Sequence, residues 1–180
     1  MTMEKVSPPV ALAVSMDAAR LALRRDDAAL DLSIEIALDA LIAEAEQLTG
    51  QAFVNRAMRL TLDAFPDAIR LAAPTFSVES VQYLDVDGQP QTLDPADYYA
   101  DIITKPGYIV PGAGKAWPAT FERINAVTVN FTAGYGPTDA TVPSGVKHYL
   151  LARLQQQFDA DLKTDSKYLD RLLDSLAVYG

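Results

Sequence analysis

The chain has no cysteine, one histidine and one tryptophan in 180 residues. Without cysteine it can form no disulfide, thiolate nucleophile, thiolate-ligated zinc or iron–sulfur site, which suits manufacture in a reducing cytoplasm. With His148 as the only histidine, an ordinary transition-metal site or a Ser-His pair finds no support in the sequence. Basic residues are also scarce, 15 Lys and Arg against 24 Asp and Glu, for a formal net charge of -9. That field repels phosphate backbones and anionic membranes and argues against sequence-reading of DNA. No stretch approaches the roughly 20 apolar residues of a membrane span. Residues Met1 to Pro9 lack the basic and apolar regions of a secretory signal, so the expectation is a soluble protein.

What is present reads as helices, then strands, then helices. Ser15 is a good N-cap with Asp17 in the first turn, opening a short helix that runs to Asp26-Asp27. A second helix is expected from Ala28 or Asp31 to Thr49, with Gly50 closing it. Ile34, Leu38, Leu41, Ala45 and Leu48 form its apolar face by spacing, with Asp39, Glu44 and Glu46 directed elsewhere. From Phe53 the period changes to two. Met58, Leu60 and Leu62 alternate with polar residues, and Val78, Val81, Tyr83 and Leu84 make another strand. Asp87-Gly88 is a hairpin turn, with Thr92-Leu93 returning. Tyr98 to Ile103, Tyr108 to Val110 and Val127 to Phe131 add short strands before Gly134-Tyr135-Gly136-Pro137 breaks the pattern.

Helix resumes near Pro143, with Val146, Leu150, Leu154 and Phe158 on one face. After a short polar linker from Asp159 to Asp165, suited to a hinge, a last helix carries Tyr168, Leu169, Leu172, Leu173 and Leu176. The expected class is α+β: a small helical bundle of two N-terminal and two C-terminal helices with an inserted antiparallel β-sheet element. The boundaries are helical parts at 12–50 and 141–179 and a β-rich insertion at 51–140, within one domain over 1–180.

No catalytic constellation rises above background. Gly112-Ala113-Gly114-Lys115 has a phosphate-loop look, but Ile109 stands where a Walker motif needs glycine and Ala116 where it needs a hydroxyl. Asp85, Asp87 and Gly88 begin like a calcium loop without the later ligands. Asp94, Asp97 and Asp101 could pair as acid and base in a small hydrolase. Partner contacts are the better prospect. The apolar face of the last helix can pack at home or on a neighbour. Trp117 is either an anchor under its own loop or an interface hot spot, and Arg24-Arg25-Asp26-Asp27 could form intersubunit ion pairs.

Several segments, in order, resemble the phage head–tail connector (adaptor) family of long-tailed phages and gene transfer agents, in its longer branch with a β-rich insertion. They are Val14-Ser15-Met16-Asp17-Ala18-Ala19, Ala43 to Glu46 through Thr49 to Phe53, Asp63 to Pro66, and Ile69 to Leu71 before Pro74. Ser80 to Gly88, Tyr98-Tyr99, Gly107 to Ile109, Trp117-Pro118, Val127 to Gly136, Val142-Pro143 and Leu172-Leu173 follow, so the likeness spans about 12–179. The family's Pro-Tyr-Arg-like stretch after Leu-Leu is replaced here by Asp174 to Tyr179.

The resemblance implies a structural, non-enzymatic subunit with no cofactor, made in the bacterial cytoplasm and residing in the virion neck. It implies a homo-oligomeric ring, commonly a dodecamer, beneath the portal protein, with a stopper or tail-completion protein on the other side and DNA passing through unbound. Candidate partner contacts are Arg24, Arg25, Trp117, Tyr168, Leu169, Leu172, Leu173 and Leu176, with the last helix expected at the portal. The competing readings are another neck component (a stopper or tail-terminator), the small hydrolase, and a bacterial ligand-binding module, which would show a deep pocket.

Overall fold

The computed structural model describes residues 1–25, 28–159, 166–174 and 176–177. Two compact units emerge, one from 1–9 with 55–135 and the other from 10–54 with 136–180. The architecture is α+β, with four α-helices and two antiparallel sheets among the described residues.

In the first unit, β1 (Thr2–Lys5), β2 (Arg56–Leu62), β4 (Thr75–Leu84), β5 (Pro90–Thr92) and β8 (Val127–Ala133) form a five-stranded sheet in the order β1-β2-β8-β4-β5. Strands β3 (Ile69–Arg70), β6 (Tyr98–Asp101) and β7 (Tyr108–Pro111) form a second sheet in the order β3-β7-β6. The central strand β8 pairs with β2 over seven residues from Arg56↔Ala133 to Leu62↔Val127. Its other edge pairs with β4, whose register shifts between Thr75 and Ser77 and again between Val78 and Ser80. Alternation dictates the faces. Met58, Leu60, Leu62, Val127, Val129 and Phe131 are buried, each contributing roughly 1.5–3 kcal/mol by leaving water. Thr61, Thr128, Asn130 and Thr132 lie on the opposite, wetter side, where Asn130 Nδ2 donates to Ser80 Oγ at 3.0 Å and Thr132 Oγ1 to Glu79 Oε1 at 2.8 Å.

The hairpin forms at the expected place. Gly88 has φ +76, and the Asp85 carboxylate accepts from the Asp87 and Gln89 N–H groups at 3.0 and 2.9 Å. The strand expected to reach Ile103 stops at Asp101. The Asp101 carboxylate accepts from the N–H groups of Ile103 and Thr104 at 2.9 and 3.0 Å, a local bond that competes with the ladder. Strand β1 gave no signal because all four of its side chains are exposed.

In the second unit, α1 (Met16–Leu23), α2 (Asp31–Thr49), α3 (Ser144–Phe158) and α4 (Ser166–Asp174) pack together, α3 lying against the other three. Ser15 Oγ accepts from the Ala18 N–H at 3.3 Å, and Gly50 ends α2 in the left-handed region at φ +67. Two expectations for α2 are corrected. Leu48 is 57% exposed, whereas Thr49 and Glu46 are buried. A step of 3.6 residues beyond Ala45 falls between Leu48 and Thr49, and Thr49 fits the interior because its hydroxyl donates to the Ala45 carbonyl at 2.8 Å. Glu46 goes inward because Oε1 accepts the Phe53 N–H at 3.0 Å, tying the chain after Gly50 to the helix it has just left. Pro143 is the residue immediately before α3, and Val146, Leu150 and Leu154 are buried as spaced, with Phe158 half-buried. The linker expected to act as a hinge lies, beyond Asp159, outside the described residues.

Gly134 follows β8 at φ +144, and a Cβ there would sit 2.4 Å from the Asn55 backbone nitrogen. Both the conformation and the close approach require glycine. Gly134→Ala should therefore destabilise the protein by at least about 1–3 kcal/mol from backbone strain alone, read as a lower midpoint in urea unfolding; an unchanged midpoint would show that the close approach relaxes freely.

Candidate functional site

The acidic loop comes apart as chemistry. Asp94 caps the 3-10 turn Pro95–Asp97, its carboxylate accepting the Ala96 N–H at 2.8 Å. Asp97 is ion-paired to Lys115, which also donates to the Ala96 carbonyl at 2.9 Å. Asp101 is held below the usual carboxylate range by hydrogen bonds from the Thr104 hydroxyl and from the Thr104 and Ile103 N–H groups. A general acid needs a raised pKa and a free path to substrate, and these three carboxylates are committed to loop structure. The same contacts dispose of the phosphate-loop look, since Lys115 is already paired and the Gly112 N–H donates to the Asp97 carbonyl at 2.9 Å. Asp85 is likewise held low, by bonds from the Gln91 side chain and the Gln89 and Asp87 N–H groups.

His148 has the Tyr168 ring edge-on at 6.2 Å between centroids. Among the described residues no group of three or more His, Cys, Asp or Glu could hold a metal ion. Among them, too, no helix is long and apolar enough to cross a membrane. A cavity of about 380 Å³, open to solvent, borders β4 and β5 at Gln82, Thr92, Arg123 and Thr128.

The partner-contact candidates separate clearly. Trp117 stacks on Phe65 with centroids 4.7 Å apart and planes 9° from parallel, and its Nε1–H donates to the Pro66 carbonyl at 2.7 Å. Phe65 in turn meets Tyr83 edge-on at 5.7 Å. The indole is thus half-buried on its own unit, as an anchor would be. On α4, Leu169 and Leu173 are buried in the helical unit, 0% and 4% exposed, while Tyr168 is half exposed and Leu172 intermediate; Leu176, expected on this helix, lies in the turn after it and is intermediate. Carboxylates at Leu172 and Leu173 together would therefore break the core before reporting on any partner. Arg24 closes α1 at φ +53, and Arg24 and Arg25 are both exposed. Asp26 and Asp27, grouped with them by sequence, lie outside the described residues.

Sequence reasoning missed another set of exposed apolar side chains on the helices: Leu21 at 81%, Leu32 at 70% and Ile36 at 62%. The signal was there for α2, because Leu32 and Ile36 fall outside the stripe through Ile34, Leu38 and Leu41.

With the fold described, its likeness to solved structures is extensive. The chain is similar over its full length to a chain in the virion of a native gene transfer agent particle, with TM-score 0.81 and 21% identity, covering 97% of that chain. A chain from the neck of an empty particle computed with C6 symmetry is similar with TM-score 0.79 and 21% identity. One from the neck of a native particle computed with C12 symmetry gives 0.68 and 23%. In both cases all of this chain and 97% of the other are covered. No family model and no curated protein matches the sequence.

The depressed carboxylates set an acid dependence. Asp31 is held low by its bond from Arg20, as Asp85 and Asp101 are by theirs. Each binds its proton more weakly folded than unfolded. Their stabilisation is therefore complete above the unfolded value of about 4 and is lost as pH falls through the lower folded values. Thermal midpoints should fall below about pH 4, and the triple variant Asp31→Asn, Asp85→Asn, Asp101→Asn should fall less steeply. Equal slopes in wild type and variant would refute this assignment.

Proposed function

We propose that this chain is a structural subunit of the neck of a tailed phage or gene transfer agent particle. More specifically, it is an adaptor that sits in a ring beneath the portal and joins the DNA-filled head to the tail. One observation carries the reading: the whole chain shares its fold with chains of gene transfer agent necks, end to end on both sides. Residues 1–180 then act as one connector domain, homo-oligomeric and commonly twelvefold, with the portal protein on one side and a stopper or tail-completion protein on the other. The net charge of -9 agrees with a conduit through which DNA slides without sticking.

Two features favour an assembly role over an enzymatic one. The acidic loop's carboxylates are engaged in caps and an ion pair, and large apolar side chains stand exposed on the helices, Leu21, Leu32 and Ile36 among them. A stopper or tail-terminator would share both features. Binding to purified portal separates them, because an adaptor binds it directly.

Deleting the gene in a producing strain and imaging the particles should reveal DNA-filled or leaking heads beside separate, complete tails. Normally joined particles would end the connector reading. Joined heads and tails with retention of portal binding by the purified protein would place it as an accessory of the same neck, not its joint.

A further inference from the structure

Every helix of the second unit buries one face, yet α1 and α2 each leave apolar side chains in water. On α1 the residue is Leu21, followed one turn on by Arg24 and Arg25. These three, spaced three and four apart, share one helix face or its C-terminal continuation. No ion pair engages Arg24 or Arg25 among the described residues.

On α2 the exposed surface is of the opposite sign. Leu32 and Ile36 form one row at a spacing of four, and Glu35 and Asp39 form the adjacent row, all four exposed. Neither acid has a described ion-pair partner, unlike Asp31 and Glu44, which are paired to Arg20 and Arg153. Beside Ile36 the surface is concave. A hollow of about 420 Å³ lies between α2 and α3, with Ser33, Ala37 and Ala40 as small lining residues and Phe158 at one side. A leucine side chain fits a hollow floored by alanine and serine.

We propose that these two patches are the two halves of one interface between copies of this chain: Leu21 of one copy seats beside Ile36 of the next, with Arg24 and Arg25 against Glu35 and Asp39. The match is of charge and of shape, a leucine flanked by two cations facing a hollow rimmed by Ile36, with two anions on the other side of that rim. In the proposed contact the α1 patch of each copy meets the α2 patch of the next, head-to-tail, and the contact repeats from copy to copy until it closes into a ring. Exposed ion pairs of this kind set register and partner choice more than affinity, which fits a subunit that must recognise its own kind in one orientation. This inference rests on the neck reading for its setting, but the two can fail separately.

Absence of cysteine makes the test clean. The L21C/I36C variant, whose two sites are exposed enough to leave the core intact, is treated at high protein concentration with a short bis-maleimide. The expected product is a ladder of dimers, trimers and higher species on a denaturing gel, with neither single-cysteine variant giving more than traces. Adding R24E/R25E, or E35R/D39R, should reduce the ladder at least tenfold, and combining all four reversals should restore it. Dimers alone would mean a two-fold contact, and no ladder would mean that another occupant covers the hollow; either overturns the proposal. Unchanged thermal midpoints confirm that each variant folds. The same variant expressed in place of wild type separates the two readings. Chain present in purified particles without a ladder rejects this interface alone, whereas chain absent from particles, with a ladder in solution, rejects the neck assignment alone.

Discussion

Strand β8 is the constraint on which the β-rich unit depends. It is hydrogen-bonded on both edges, to β2 across seven residues and to β4 through a bulged register, and it pairs residues from 44 (Tyr83↔Val127) to 77 (Arg56↔Ala133) positions apart. Because its side chains alternate strictly, a slip of one residue would move Val127, Val129 and Phe131 from the core to solvent. The requirement propagates outward. Gly134 must follow at positive φ where Asn55 passes, since no side chain fits between them. The helical unit has its own fixed point in Glu46, a buried carboxylate whose role is to hold the Phe53 N–H as the chain leaves α2.

Those fixed points explain what could be read in advance. The start of α1 and the end of α2 were legible because capping is local, Ser15 and Gly50 acting within four residues of themselves; the end of α1, expected at Asp26-Asp27, falls at Leu23, where Arg24 turns into the left-handed region with no glycine to signal it. The strands β2 and β8 were legible because period-two alternation over seven residues is unambiguous. What escaped the sequence was non-local or lacked an apolar pattern. Strand β1 buries none of its side chains, and the two-residue β3 exists only because β7 lies beside it. Glu46 looked like a surface acid because nothing in its neighbours says that a backbone N–H seven residues on will need an acceptor.

The partner surfaces divide along the same line. An apolar helix face reads identically whether it packs at home or on a neighbour, so the leucines of α4 could not be assigned until Leu169 and Leu173 were found inside the unit. Trp117 was equally ambiguous from sequence, and its stacking on Phe65 depends on a residue 52 positions earlier. Leu32 and Ile36, by contrast, were detectable as apolar residues that the helix's own stripe does not use.

On the assembly reading proposed above, such a surface meets particular demands. A chain that must remain soluble until it meets its neighbours cannot afford a broad exposed apolar face, because contiguous patches invite indiscriminate association. Here the exposed apolar residues of α1 and α2 are few and each is flanked by charge, Leu21 by arginines and Ile36 by acids. Like patches then repel, Arg24 and Arg25 from their counterparts and Glu35 and Asp39 from theirs, while unlike patches attract. In the interface proposed above, charge arranged this way would disfavour pairing of like patches, so the same few side chains would set both the selectivity and the strength of the contact.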